Sequence, residues 1–157
     1  MKLTNLADDY YKSYDYKNLR DDTKRQYKYH INVMLNTEVD GVKLSTLDYK
    51  NFPTRTAKEA YNQWCEKGIY MANHIISASR LMFNHGLRME LCLINPFENI
   101  RRRTVERRKV VWSRGDVQKL LSFAYEDFNT RNIGLIAHMA YEWCQRLGDM
   151  RMLTWDN

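Results

Sequence analysis

The sequence predicts a mainly α protein. Only two prolines, Pro53 and Pro96, and six glycines interrupt its 157 residues. Apolar side chains recur at intervals of three and four residues through almost the whole chain, the spacing that places them on one face of a helix. No segment has a convincing strand pattern. We therefore expect helices that are joined by short turns.

Two helices are predicted near the N-terminus, a short one over residues 3–14 and a longer one over 23–36. Thr23 and Gln26 have the spacing of a capping box, in which the hydroxyl and the amide each satisfy a backbone N–H that the first turn leaves unpaired. One side of the longer helix is apolar. The other side carries Lys24, Lys28 and Asn32.

Thr56 and Glu59 repeat the capping-box spacing and predict a third helix that ends at Gly68. Its apolar stripe is Ala57, Ala60, Tyr61 and Trp64. A fourth helix is predicted over residues 69–85, with Gly86 as its C-terminal stop. The stripe predicted to enter the core from this helix is Ile69, Ala72, Ile76, Ser79 and Phe83. A polar row on this fourth helix has the chemistry to meet phosphates and base edges, although such rows are also typical of the solvated side of an amphipathic helix. The row consists of Asn73, Ser77, Arg80 and Asn84.

The turn predicted at Asn95-Pro96 precedes a domain boundary, because proline disfavours helix in the residue before it. The predicted organisation is a first domain over residues 1–100, a basic linker over 101–111 and a second domain over 112–157. Two helices are expected in the second domain. One starts at a capping box of Ser113 and Asp116, and the other covers about 131–143 and buries Ile133, Ile136, Ala137 and Ala140.

The basic charge of the chain is concentrated in one short segment. The formal net charge is +6, and residues 101–109, RRRTVERRK, hold six basic residues and one acid. A solvated helix face usually mixes its signs, so this segment indicates a polyanionic partner, with a merely solubilising linker as the alternative.

Other classes of protein are disfavoured by composition. No apolar run approaches the roughly 18 residues of a membrane span, and the N-terminus has no secretory h-region, so a cytoplasmic protein without membrane partners is expected. The three cysteines and four histidines are scattered, which predicts neither a disulfide framework nor a metal site. No cofactor is expected.

The last fourteen residues, CQRLGDMRMLTWDN, place Arg146 and Asp149 three positions apart. Taken alone, this spacing is typical of a surface ion pair worth a few tenths of a kcal/mol. Cys144 lies close to the arginine, but no histidine is near it in sequence to activate the thiol, so a catalytic cysteine is disfavoured.

This stretch resembles the first arginine motif of the tyrosine recombinase (phage integrase) family, T-G-x-R-[IL]-x-[ED] followed by L-x-W. Trp143 and Cys144 stand where the family has threonine and glycine. The positions in register are Arg146, Leu147, Asp149, Leu153 and Trp155.

The rest of the chain is similar to the same family in the order of its parts. These parts are TKRQYKYHI, AYNQWCEKG, MANHIISASRLMFNHG, NPFENI and the W-S-x-x-[DE] helix start at residues 112–116. The resemblance therefore implies a helical, SAM-like core-binding domain, followed by the first helices of a truncated catalytic domain. It also implies site-specific DNA recombination of the phage-integrase type, including viral genome integration, in a bacterial or phage-infected cell.

In this family a tyrosine hydroxyl attacks a DNA phosphodiester and forms a 3′-phosphotyrosyl link without a metal or cofactor. The resemblance implies that Arg146 holds the scissile phosphate and that Asp149 supports Arg146. Leu147, Met150 and Leu153 are expected to anchor this turn in the core. All eleven tyrosines precede Arg146, whereas the family's nucleophile follows it, so we expect the chain to bind DNA and not to cut it.

Double-stranded attachment-site DNA is the expected partner, together with other recombinase protomers on that DNA. The expected groove contacts are Lys24, Lys28, Asn73, Ser77 and Arg80. The expected backbone contacts are Arg101, Arg102, Arg103, Arg107, Arg108 and Lys109. Two alternatives are a stand-alone DNA-binding regulator derived from a recombinase and an unrelated helical RNA-binding or scaffold protein.

Overall fold

A computed structural model describes residues 1–106, 109 and 111–154. The described residues contain eight α-helices and one very small sheet, which confirms the prediction of a mainly α protein. The chain divides into two compact units, Met1–Glu106 and Arg107–Asn157, and the division falls inside the predicted linker. Within the described ranges, no helix is both long enough and apolar enough to cross a membrane.

The N-terminal unit is built from five helices. They are α1 (Leu3–Lys12), α2 (Tyr14–Lys17), α3 (Asp21–Asn36), α4 (Thr54–Lys67) and α5 (Ile69–Arg88). Between α3 and α4 lie an antiparallel hairpin of β1 (Glu38–Val39) and β2 (Val42–Lys43) and two 3-10 turns, Leu44–Thr46 and Tyr49–Asn51. The C-terminal unit contains α6 (Arg114–Glu126), α7 (Arg131–Glu142) and α8 (Leu147–Arg151).

Helix α5 is the centre of the N-terminal unit and packs against α1, α3 and α4. Its predicted apolar stripe is buried at Ala72, Ile76, Ser79 and Phe83, and that of α4 is buried at Ala57, Ala60, Tyr61 and Trp64. The periodicity therefore predicted correctly which faces of these two helices enter the core.

Two predicted helix starts were wrong. Helix α3 begins at Asp21 and α4 at Thr54, so Thr23 and Thr56 lie inside their helices and cap neither. Asp21 and its neighbour Asp22 occupy the first turn of α3, where negative charge interacts favourably with the helix dipole. Pro53 precedes α4 and favours the extended backbone of the residue before it.

The third predicted capping box is confirmed. Ser113 Oγ accepts a hydrogen bond from the backbone N–H of Asp116 at 3.2 Å, and Asp116 Oδ2 accepts one from the backbone N–H of Ser113 at 2.9 Å. The Ser113 hydroxyl, which donates to Asp116 Oδ2 at 2.7 Å, and then the Ser113 backbone N–H hold the pKa of Asp116 below its ordinary value. The start of α6 is thus fixed by local sequence alone.

The β1–β2 hairpin was missed because each strand has only two residues, too few for an alternating pattern. Its turn is Asp40-Gly41, with φ angles of 52° and 74°. Both values lie in the left-handed region that a tight hairpin of this kind requires, and Asp-Gly is a preferred sequence for it. The sequence Asp40-Gly41 between two valines could therefore have predicted this hairpin.

Gly86 does not end α5, which continues to Arg88. A Cβ at this position would lie 2.9 Å from both Cys92 Sγ and Leu6 Cδ1. The backbone N–H of Leu91 also donates to the Gly86 carbonyl at 2.8 Å. The glycine is therefore required by the close approach of α1 and the chain after α5, and not by a helix cap.

In the C-terminal unit, α6 and α7 pack closely at Gly134, where a Cβ would lie 2.7 Å from Ala124 Cβ. The predicted burial of Ile133 was wrong, since 64% of its surface is exposed, and Ile136, Ala137 and Ala140 are only partly buried. Gly134 faces α6, and Ile133 precedes it by about 100° around the helix, so its side chain points elsewhere.

The predicted anchors of α8 are confirmed only in part. Met150 is buried, but Leu147 and Leu153 are 58% and 44% exposed. Helix α8 has five residues and packs against α7, so it presents little more than one turn to its neighbour.

Candidate nucleic-acid interface

The chain turns at Asn95-Pro96, as predicted, and then runs back along α5. Asn95 Oδ1 accepts a hydrogen bond from the backbone N–H of Phe97 at 3.0 Å, which closes the turn. We call residues 95–103 the return segment. It covers the polar row of α5, so these side chains do not simply face solvent.

Arg80 and Asn84 hold the first part of the return segment. Arg80 Nε donates to the carbonyl of Phe97 at 2.9 Å, and its Nη2 donates to the carbonyl of Ile100. Asn84 Oδ1 accepts from Asn95 Nδ2 at 2.7 Å. The guanidinium thus satisfies carbonyls of an irregular segment that has no helix or strand to pair them.

Tyr61 and Asn73 hold the end of the return segment at Arg103. The Tyr61 hydroxyl donates to Asn73 Oδ1 at 2.7 Å and accepts from the backbone N–H of Arg103 at 2.8 Å. Asn73 Nδ2 donates to the carbonyl of Arg103, also at 2.8 Å. We call this closed arrangement of three residues the Tyr61 clasp.

Two arginine side chains are also placed by neighbouring helices. Arg102 Nη1 donates to Ser77 Oγ at 3.3 Å, and Arg103 Nη2 donates to Asn62 Oδ1 at 3.0 Å. Both arginines nevertheless remain exposed, as does Arg101. Three exposed guanidinium groups therefore extend from a backbone that the protein itself holds in place.

The remaining basic residues of the predicted linker are described only in part. Lys109 is exposed, whereas Arg107 and Arg108 lie outside the described residues. Because the compact N-terminal unit extends to Glu106, the start of the predicted linker belongs to that unit.

The candidate groove residues on α3 differ in exposure and in ion pairing. Lys24 Nζ lies 3.3 Å from Asp21 Oδ1, and only 30% of the Lys24 side chain is exposed. Lys28 and Asn32 are exposed, and Lys28 forms no ion pair with any other described residue. Lys28 is therefore the more available cation of the two lysines.

Two histidines that are far apart in sequence meet between α3 and α5. The rings of His30 and His74 stack with centroids 5.4 Å apart, and the ring of Tyr70 lies edge-on to His74 at 4.5 Å. Burial, and secondarily the neighbouring His74, lower the pKa of His30, so this ring is mainly neutral at pH 7. His30 therefore adds no positive charge to the surface at that pH.

Arg146 occupies the N-cap position of α8, directly after a bend in the chain. The bend includes Cys144, whose φ of 52° lies in the left-handed region that favours glycine. Arg146 and Asp149 are both exposed, and no ion pair joins their side chains in the described part of the chain. Their proposed cooperation stays a prediction, and Trp155 lies outside the described residues.

No cluster of three or more His, Cys, Asp or Glu side chains that could hold a metal ion occurs among the residues the structure describes. Comparison with known proteins finds no family model, no curated protein and no solved structure that matches this chain. A function therefore has to be inferred from the chemistry of its own side chains.

Proposed function

We propose that this chain is the DNA-binding part of a tyrosine recombinase of the phage-integrase type, acting in site-specific DNA recombination. In this proposal the N-terminal unit is a SAM-like core-binding domain, and the C-terminal unit is the beginning of a catalytic domain. The chain binds duplex attachment-site DNA and supplies the first catalytic arginine, Arg146. It does not cut DNA by itself.

The observation that carries the proposal is the group of exposed arginines, Arg101, Arg102 and Arg103, on the anchored return segment. A guanidinium is always charged and can donate two parallel hydrogen bonds to a phosphate. Three such groups lie on consecutive residues, and further basic residues follow them. This arrangement suits the repeated charges of a phosphate backbone better than it suits a single small anion.

The polar row of α5 holds the return segment that carries these arginines. Asn73, Ser77 and Arg80 each hydrogen-bond to the return segment, so their main proposed contribution to DNA binding is indirect. Lys28 and Lys24 remain the proposed groove contacts from α3. Contacts to the DNA backbone fix register, whereas contacts in the groove read sequence.

The bend before α8 supports the resemblance around Arg146. Cys144 stands where the family motif has glycine, and its positive φ is the conformation that glycine adopts at least cost. The exposed Arg146 guanidinium suits the charge that develops on a scissile phosphate. Asp149 is proposed to orient it in the assembled active site.

Mixing the purified chain with duplex DNA that carries an attachment site is expected to give a shifted band in a native gel. No covalent adduct is expected in a denaturing gel, because every tyrosine of this chain precedes Arg146 and none occupies the nucleophile's place in the motif order. An adduct that survives denaturant and yields a tyrosine-linked peptide would contradict the proposal.

A stand-alone DNA-binding regulator derived from a recombinase is the second candidate. It is favoured by the N-terminal unit, whose own residues form a core and anchor Arg101, Arg102 and Arg103. An open reading frame that continues past residue 157 into a His-x-x-Arg pair and a late tyrosine would exclude this candidate.

A further inference from the structure

Tyr61 is the central residue of the hydrogen bonds that hold the end of the return segment. It lies in α4 with only 2% of its surface exposed, and its hydroxyl both donates to Asn73 and accepts from Arg103. Because Asn73 also donates to the Arg103 carbonyl, both backbone polar groups of Arg103 are bound within the Tyr61 clasp. The clasp therefore fixes the peptide groups on both sides of one arginine.

The clasp depends on the hydroxyl and not on the ring. The ring packs in the core, as a phenylalanine ring would, whereas only an oxygen can join Asn73 to the Arg103 N–H. Burial raises the pKa of Tyr61 above its ordinary value, so the hydroxyl stays protonated and keeps its donor at neutral pH.

The position of the clasp is what connects it to the proposed interface. Arg103 is the last of three consecutive exposed arginines, and the preceding part of the return segment is held by Arg80 at the carbonyls of Phe97 and Ile100. The backbone of Arg101 and Arg102 lies between these two anchor points, so we expect it to be ordered before DNA binds. Ordering that is complete before a partner arrives does not weaken binding, whereas ordering on contact does.

We propose that Tyr61 is a positioning residue that sets the DNA affinity of Arg101–Arg103 without touching DNA itself. The proposal rests on the proposed function, because its main readout is binding to duplex DNA. It goes beyond that function by assigning part of the affinity to a buried hydroxyl in the core.

The test is Tyr61→Phe in the full chain, with Tyr49→Phe as the matched control. Tyr49 is also buried and donates its hydroxyl to Met1 Sδ, so the control removes the same atom from the same unit and keeps the hydrogen bonds of the return segment. We expect Tyr61→Phe to weaken binding to duplex DNA about two- to tenfold, because part of the return segment would then have to be ordered on contact with DNA. Tyr49→Phe should change the affinity for duplex DNA by less than Tyr61→Phe does.

A double-mutant cycle separates positioning from general loss of structure. In a chain that already carries Arg101→Ala, Arg102→Ala and Arg103→Ala, Tyr61→Phe should have no further effect on DNA affinity, since it acts through these side chains. An equal loss in both backgrounds would mean a merely structural role and would overturn the proposal.

Hydrogen exchange gives a readout that does not involve DNA. The amide of Arg103 should exchange faster in Tyr61→Phe than in Tyr49→Phe or the unsubstituted chain. An unchanged exchange rate at Arg103 overturns this proposal alone. An unsubstituted chain that binds no duplex DNA overturns the proposed function and the positioning role together.

Discussion

Replacing Phe97 by alanine is expected to destabilise the N-terminal unit by about 3–5 kcal/mol, the usual cost of removing a fully buried phenyl ring. Phe97 is completely buried. Its ring lies 5.7 Å from Phe83, 5.8 Å from Phe52 and 6.3 Å from Trp64, measured between ring centroids. Alanine would leave a cavity at the point where these three side chains meet.

The same substitution should also weaken DNA binding, because Phe97 belongs to the return segment and anchors it to the core. Urea unfolding followed by circular dichroism measures the change in stability. Leu93→Ala is the matched control, since Leu93 lies four residues earlier and is 90% exposed. We expect the control to change stability by no more than about 0.5 kcal/mol. A loss below about 1 kcal/mol for Phe97→Ala would contradict the described core.

The second large effect is expected from Arg101→Ala, Arg102→Ala and Arg103→Ala combined. Each lost phosphate contact should reduce the dependence of log K on log salt by about 0.9, so three substitutions should remove about half of a slope of roughly −5. The affinity for duplex DNA at low salt should fall roughly tenfold or more. All three side chains are exposed, so the fold should be little affected.

Lys2→Ala, Lys12→Ala and Lys50→Ala combined provide the control for charge alone. These lysines are exposed in the same unit, and their removal lowers the net charge by the same amount. We expect them to change the salt slope by less than one. Equal effects of the two triple substitutions would show that overall charge, and not the return segment, determines DNA binding.

The sequence predicted the helical architecture because the burial of α4 and α5 follows from a repeated spacing of apolar residues. Helix starts were less predictable. Thr23 with Gln26 and Thr56 with Glu59 had the spacing of caps, but the first-turn acids of α3 and Pro53 before α4 allowed both helices to begin two residues earlier. The helix start predicted from Ser113 and Asp116 was correct, and α6 begins directly after Ser113.

The candidate interface was predictable in its residues but not in its arrangement. The sequence shows that Asn73, Ser77 and Arg80 share a face of α5. It does not show which part of the chain meets that face, since their partners lie 17 to 30 residues further on. The return segment meets that face because Phe97 packs in the core, and this long-range contact cannot be read from the local spacing of residues.

The central claim, that this chain binds duplex DNA electrostatically through the basic residues at 101–109, is tested most directly by one titration. The anisotropy of a labelled duplex is followed as the full chain is added, at several salt concentrations between about 50 and 200 mM, with an RNA hairpin of equal charge in parallel. We predict saturable binding, tighter for the duplex, with a salt slope of roughly −5 for six phosphates neutralised. No binding to the duplex at low salt, or equal affinity for the hairpin, would contradict the claim.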